Sequence, residues 1–282
     1  MPPGGAGADP GGAAGGGEQL TPVPLALAAA VSAGAAFAAW RARTLTPLGT
    51  VAAWTIGVLV LGGTGWQGGA VLAAFFVSSN LVSRVRPRAG PADSDAKSDR
   101  RDHWQVYANG GAAAAGAGIG LGDAALGLWL VTATLATAAA DTWATSVGIW
   151  SRVPPRMIGF GRRVPAGSGG GMTVAGCAGA AAGAAIVSSA GAIASGMLIL
   201  LPLGTLIGFF GMVVDSALGA LLQGRFRCPA CNVASEWSVH RCGAATTREG
   251  GLAWLNNDGV NFAATSLAGG AALGVWWWLS PG

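Results

Sequence analysis

The sequence predicts an all-helical, polytopic integral membrane protein of about eight transmembrane helices, and three observations predict it. The chain is 52% hydrophobic and only 10% charged over 282 residues, with a mean hydropathy of +0.52, a balance that suits lipid rather than water. Apolar runs near the length that crosses a bilayer, about 20 residues, recur along it. The 16 basic residues fall into a few clusters between those runs.

Residues 1–19, "MPPGGAGADPGGAAGGGEQ", contain almost no large apolar side chain and are expected to form a disordered tail. They lack the basic segment that opens a signal peptide. Residues 20–282 then read as one membrane-embedded domain, with spans expected near 21–40, 46–63, 67–83, 104–121, 124–150, 171–188, 191–223 and 257–279. "GGTGWQGG" (62–69), "GLGD" (120–123) and "SSAGA" (188–192) are expected to make tight hairpins. The other connections are longer and polar, among them a loop over 226–250. Gly116 and Gly120, Gly179 and Gly183, and Gly204 and Gly208 keep the four-residue spacing that lets helices approach closely.

The charges fix a direction. Arg41 and Arg43 follow the first span, and Arg84, Arg86, Arg88, Lys97, Arg100 and Arg101 the third. Arg152, Arg156, Arg162 and Arg163 follow the fifth; Arg225, Arg227, Arg241 and Arg248 precede the eighth. With eight spans every cluster lies on one face, which the positive-inside rule makes cytoplasmic, and both termini lie outside. Seven or nine spans would scatter the same charges over both faces. Trp40, Trp104, Trp150 and Trp254 would flank the inner ends and Trp66 and Trp276–Trp278 the outer ones, as an aromatic belt does. Trp54, Trp129 and Trp143 fall inside spans and read as packing residues.

A carboxylate at mid-bilayer costs about 2.5–3.5 kcal/mol on insertion scales, so it marks a functional site or has a partner. Asp141 in "ATAAADTWATSVG", Asp215 in "GMVVDSALGALLQ" and Asp258 in "WLNNDGVNF" are such residues. Ser78, Ser79, Asn80, Gln105, Asn109, Thr142, Thr145, Asn256, Asn257 and Asn261 are expected at a similar depth. A water-accessible pocket shared by the carboxylates would tolerate them, with a divalent cation removing their repulsion. Hard oxygen ligands suit magnesium. The plain alternative is that each aspartate caps a helix or bonds a neighbouring Asn or Thr. "RRVPAGSGGGMT" (162–173) places two arginines and a glycine-rich turn before a helix N-terminus, an arrangement suited to an anion. It lacks the Lys-Ser/Thr ending of a Walker A loop.

Residues 228–242, "CPACNVASEWSVHRC", put Cys228, Cys231, His240 and Cys242 in one polar loop. Three thiolates and an imidazole are the number and softness of a closed tetrahedral zinc site. Free thiols and a disulfide or redox pair are the other readings. Cys177 lies in a span and reads as a small packing residue.

The strings "HWQVYANGG" (103–111), "ATAAADTWATSVG" (136–148), "GRRVPAGSGGGMT" (161–173), "GMVVDSALGALLQ" (211–223), "CPAC" with "HRCG" (240–243) and "WLNNDGVNF" (254–262), in that order, resemble the transmembrane protein 19 family, or domain of unknown function 92. That family also contains the plant and cyanobacterial phytyl phosphate kinases, and the resemblance covers residues 76–265 or so. It implies transfer of a phosphoryl group from a nucleoside triphosphate, with CTP one candidate, to an isoprenoid monophosphate such as phytyl phosphate. By matched positions it implies Asn109, Asp141, Thr142, Thr145, Ser168, Asp215, Gln223, Asn257, Asp258 and Asn261 as pocket residues. The sequence departs from the family in having "GSGGG" where a larger polar residue is expected between the glycines.

Roles then follow from chemistry. Phosphoryl transfer needs metal ligands, cationic clamps and positioning. Asp141 and Asp215 are expected to hold magnesium, with Asp258 a third ligand or helper. Arg162, Arg163 and the turn Gly167, Ser168, Gly169, Gly170 and Gly171 would grip the nucleotide phosphates, and Arg100 or Arg101 the acceptor phosphate. The expected partners are membrane lipid, an isoprenoid phosphate and a nucleoside triphosphate, and no nucleic acid. A transporter or another lipid-phosphate transferase using the same pocket is the alternative. "ADTWATSVG" and "VDSALGALLQ" echo one another as a parallel repeat would, but the outer half of the spans carries few polar residues to form a path.

Overall fold

A computed structural model describes residues 23–85, 100–165, 168–235 and 237–280. The 1–19 segment, Arg86, Arg88, Lys97 and Gly167 lie outside the described residues. The apolar runs fold into α1 (Leu25–Arg41), α2 (Pro47–Val85), α3 (His103–Ile119), α4 (Ala124–Gly148), α5 (Val174–Ser195), α6 (Leu200–Leu221) and α7 (Asn257–Leu279). Of these α2, α4, α5, α6 and α7 are long and apolar enough to cross a membrane, and α1 is shorter at 17 residues.

Two of the expected breaks move. Over its 39 residues α2 is interrupted only at Gly65, whose φ of 66° and ψ of −161° are not helical. A Cβ added at Gly68 would lie 3.2 Å from Val60 Cγ1, and one at Gly69 3.1 Å from Leu61 Cδ2. Residues eight apart in a straight helix are separated by about 12 Å, so the chain bends sharply at Gly65. The break expected over 62–69 is thus a single residue. The hairpin expected at "SSAGA" (188–192) is absent, because α5 runs on to Ser195 and turns at Gly196, in the left-handed conformation at φ 72°. The small residues there serve packing: Gly191 abuts Thr132, and Ser188 abuts Gly204. "GLGD" does end a helix pair, with Asp123 accepting from the Leu126 amide to cap α4.

The centre of the bundle is α4, which packs against α2, α3, α5, α6 and α7. It is buried on every side from Gly127 to Ala140, as an all-round apolar helix must be. Thr132, Thr134 and Thr137 donate to carbonyls four residues back, which satisfies their hydroxyls in a dry interior. Trp129 donates from Nε1 to the Ala272 carbonyl at 2.7 Å and packs on Trp276. Trp276 therefore turns inward, away from the belt expected of it, while Trp277 and Trp278 are exposed.

The spaced glycines mark close helix contacts. A Cβ at Gly183 would come 2.6 Å from the Trp143 ring, and one at Gly208 2.9 Å from Ala136 of α4. Gly208→Val is expected to destabilise the protein by about 1–3 kcal/mol through overpacking. Thermal unfolding in detergent measures it, with Gly274→Val as the neutral control because nothing lies within 4 Å of a Cβ there.

An entirely helical expectation misses five short strands in the polar connections. β1 (Arg156–Met157) pairs antiparallel with β2 (Gly171–Met172). β3 (Arg225–Arg227) is the middle of a sheet between β4 (Ala234–Ser235) and β5 (Thr247–Gly250). Strands of two to four residues are too short to show a period of two. A bridge between Leu45 and Arg101 joins the α1–α2 turn to the entry of α3.

Candidate functional site

A cavity of about 310 Å³ lies where the C-terminal parts of α4 and α6 meet the N-terminus of α5. Asp141 stands seven residues before the end of α4 and Asp215 six before the end of α6, so each is recessed about 10 Å at 1.5 Å per residue. Both carboxylates line this cavity, and the charge of Asp141 acts on Asp215. Thr142, Thr145, Ser146, Ser216, Gln223 and Asn257 line it as well, a wall of neutral oxygen and amide groups.

The glycine-rich segment closes another side. β1 is bonded on both edges: the Met157 amide donates to the Arg162 carbonyl at 2.8 Å in a tight hairpin closed by the Arg156–Arg163 bridge, and beside the β1–β2 pairing the Ile158 amide donates to the Gly170 carbonyl at 3.0 Å. Gly170 has a φ of 77°, and a Cβ there would lie 2.5 Å from Ala220 Cβ and 2.6 Å from the Ser216 carbonyl oxygen. Only glycine fits both the conformation and the gap, so the turn lies flat on α6. Ser168, Gly169, Gly170 and Gly171 line the cavity beside Thr173, which caps α5 by accepting from the Gly176 amide at 2.9 Å. The positive end of α5 thus faces the chamber that holds the carboxylates.

The two arginines of that motif are elsewhere. Arg162 and Arg163 are exposed on the outside of the hairpin and line neither cavity. Their neighbour Arg156 holds the hairpin tip by donating to the Gly161 carbonyl.

A second cavity of about 140 Å³ is lined by Arg101, Gln105, Asn109, Thr142, Asn257, Asp258 and Asn261. Thr142 and Asn257 line both chambers, so the two adjoin. Local caps build this wall. Asp102 and Gln105 form a capping box that starts α3, and Asn256 caps α7 by accepting from the Gly259 amide. That leaves Asp258 in the first turn of α7. Asp258 lines the second chamber and not the first. The Oδ1 of Asn261 is buried with no hydrogen-bond partner among the described residues. Burial holds the Arg101 guanidinium below its usual range, at about 10, so it stays a cation at neutral pH. It also sits 5.8 Å from the centre of the Phe75 ring. Arg100 lines neither chamber.

Several cavity residues carry a signal only beside something louder. Ser216 adjoins Asp215, Thr173 ends the glycine motif, and Ser83 follows the Ser78–Asn80 cluster by one turn. Within that cluster Ser79 is buried away from the cavity, and Asn80 donates to its own helix at Phe76. Cys177, expected only to pack, lines the first chamber. Cys228, Cys231, His240 and Cys242 form a separate group in the lobe of β3, β4 and β5.

Comparison with known proteins agrees with this picture of a membrane protein. The chain is 28% identical to Protein PGR of Arabidopsis thaliana, over 84% of this chain and 91% of that protein. It is 28% identical to an uncharacterized membrane protein of Synechocystis sp., over 83% of each. With an uncharacterized membrane protein of Methanocaldococcus jannaschii it shares 27% identity, over 65% of this chain and 76% of the other. No solved structure matches it. Residues 30–269, which include every described residue that lines either chamber, match the model of the integral membrane protein DUF92 family, and the chain belongs to that family.

Proposed function

We propose that the protein is a membrane phosphotransferase that moves the γ-phosphoryl group of a nucleoside triphosphate, CTP among the candidates, to an isoprenoid monophosphate such as phytyl phosphate. The observation that carries this reading is the sharing of one chamber by Asp141, Asp215 and a glycine turn at a helix N-terminus. The resemblance of the motifs to phytyl phosphate kinases points the same way. The five long apolar helices, the shorter α1 and α3 and the bend at Gly65 support eight spans. On that reading the basic connections face the cytosol, where nucleotide is found.

The donor set fits magnesium: two carboxylates amid hydroxyl and amide oxygens, with room for phosphate oxygens and water. When bound there, the ion would neutralise charge on the donor phosphates. The chain's own groups do the positioning. The 168–171 turn and the start of α5 receive the phosphates of the donor, and Arg101 across the shared wall receives the single phosphate of the acceptor. An acceptor phosphate oxygen attacks the γ-phosphorus as the β–γ bridging bond breaks, giving a nucleoside diphosphate and an isoprenyl diphosphate. The acceptor is already ionised, so no general base is needed. The apolar tail would leave between helices into lipid.

The test is direct. Purified protein with magnesium, γ-labelled nucleoside triphosphate and phytyl or geranylgeranyl phosphate is expected to release labelled isoprenyl diphosphate. No labelled product with any of the four common nucleotides would overturn the proposal. Nucleotide-independent flux of the phosphate into proteoliposomes would replace it with transport.

A further inference from the structure

The lobe over residues 225–250 has almost nothing to hold it together. Among its described residues only Phe226, Cys228 and Ser235 are buried. Its strands are two to four residues long, and the ion pair of Arg227 with Glu249 is exposed, where such pairs contribute little. A unit this small does not bury enough apolar surface to fold without a disulfide, a metal or a partner. All of its cysteines are free.

What the lobe does have is four soft ligands at one point. One donor atom from each of Cys228, Cys231, His240 and Cys242 lies within 4.8 Å of all the others. Cys228 Sγ and Cys242 Sγ are 3.6 Å apart, and His240 Nδ1 is 3.1 Å from Cys242 Sγ. Metal–ligand bonds of about 2.3 Å to sulfur and about 2.0–2.1 Å to nitrogen imply tetrahedral edges of about 3.5–3.8 Å. A disulfide needs sulfurs about 2.05 Å apart.

The two pairs are presented by matching turns. After Cys228 and Cys231 comes Asn232 at φ 55°, with the Asn232 amide donating to the Cys228 carbonyl at 2.8 Å. After His240 and Cys242 comes Gly243 at φ 84°, with the Gly243 amide donating to the His240 carbonyl at 2.9 Å. In each, a left-handed residue directly after the second ligand folds the chain back so that both ligands point to one centre. The unusual His-x-Cys spacing is therefore a knuckle one residue shorter than Cys-x-x-Cys.

We infer that Cys228, Cys231, His240 and Cys242 bind one structural zinc ion, which holds together the lobe that sits at the mouth of the first chamber. The lobe's base makes the connection. The Gly224 amide donates to the Leu255 carbonyl and the Leu252 amide to that of Leu222, each at 2.8 Å, and Arg225 donates to the Ala220 carbonyl at 2.8 Å. The two backbone bonds tie the end of α6 to the segment that leads into α7, and the Arg225 bond ties the lobe to α6, between Gln223 and Asn257, which both line the chamber. A closed site of four protein ligands leaves no open position for chemistry.

The inference stands apart from the phosphotransfer reading, because its test reads metal and thiols rather than turnover. Full-length protein purified in detergent without chelator is expected to carry about one zinc per chain. Protein made with cobalt in place of zinc should show tetrahedral thiolate-to-cobalt absorption. Cys231→Ser and His240→Ala should each retain less than about a tenth of the zinc, and Cys177→Ser should retain all of it. In the wild type, zinc should shield Cys228, Cys231 and Cys242 from alkylation until a chelator is added, a measurement that does not depend on a variant's folding. Wild-type protein without zinc both as purified and after titration would overturn the inference. So would zinc that survives both ligand substitutions, or full alkylation of the three thiols in zinc-replete protein.

Discussion

Asp141→Asn and Asp215→Asn are each expected to lower phosphotransfer by at least about 10²-fold, the scale on which a single electrostatic contact to a transition state counts, while leaving the protein as stable as before or more so. The two effects run in opposite directions for one reason. Both carboxylates line a recessed chamber, so their charges lack full hydration and act against each other. An amide keeps the shape and removes the charge. Were either aspartate a structural partner to a neighbour, its loss would strand that neighbour and lower the melting temperature. Activity lost together with stability would therefore refute the site reading, and activity retained by both variants would refute it outright.

Magnesium supplies a readout free of substrate. A ligand that binds only the folded state stabilises it by about 2.7 kcal/mol at a hundred times its dissociation constant. Wild-type protein is expected to melt higher as magnesium is added, and the two variants are not. A wild-type melting temperature unmoved by magnesium and nucleotide together would leave the carboxylates without a cation.

Most of the helices are legible in the sequence because the hydrophobic signal is long and uniform. Its resolution is poor at breaks, for a glycine inside an apolar run signals either a bend or a close contact. Gly65 bends the chain, whereas Gly191 lets α5 lie against Thr132. Asp141 and Asp215 are legible for a different reason: they stand out in apolar surroundings, and both line the chamber. Arg162 and Arg163 stand out as strongly and yet lie outside it, because the chain reverses between β1 and β2 and carries them to the far side of the hairpin. Thr173 and Ser216 were hidden, since a lone hydroxyl in a helix more often bonds its own backbone than a ligand. The division into two adjoining chambers depends on which faces of α3, α4 and α7 meet, and periodicity in an Ala- and Gly-rich chain does not say.

Arg101→Ala is expected to raise the KM for the isoprenoid phosphate by about 10²-fold, the loss of one charge-assisted contact in a half-buried chamber, with the KM for nucleotide nearly unchanged. Arg101 lines the second chamber with Asn109, Asp258 and Asn261, and no salt bridge joins it to a carboxylate among the described residues. A half-buried, poorly hydrated cation in that state is held for a ligand or at a loss. Lysine keeps the charge without the two-pronged geometry, so Arg101→Lys should recover part of the affinity. The pH dependence has a definite sign. Burial lowers the Arg101 pKa from 12.5 to about 10, so the cation is disfavoured by folding at every pH below that value, and the penalty lifts as pH rises through it. Binding needs the cation and goes the other way. Acceptor affinity should be flat with respect to Arg101 across neutral pH and fall as pH passes about 10, and Arg101→Ala should show no such fall. If the alanine variant instead keeps the wild-type KM for acceptor and loses affinity for nucleotide, the two chambers exchange roles; if it loses neither, Arg101 anchors the α2–α3 connection and the acceptor phosphate binds elsewhere.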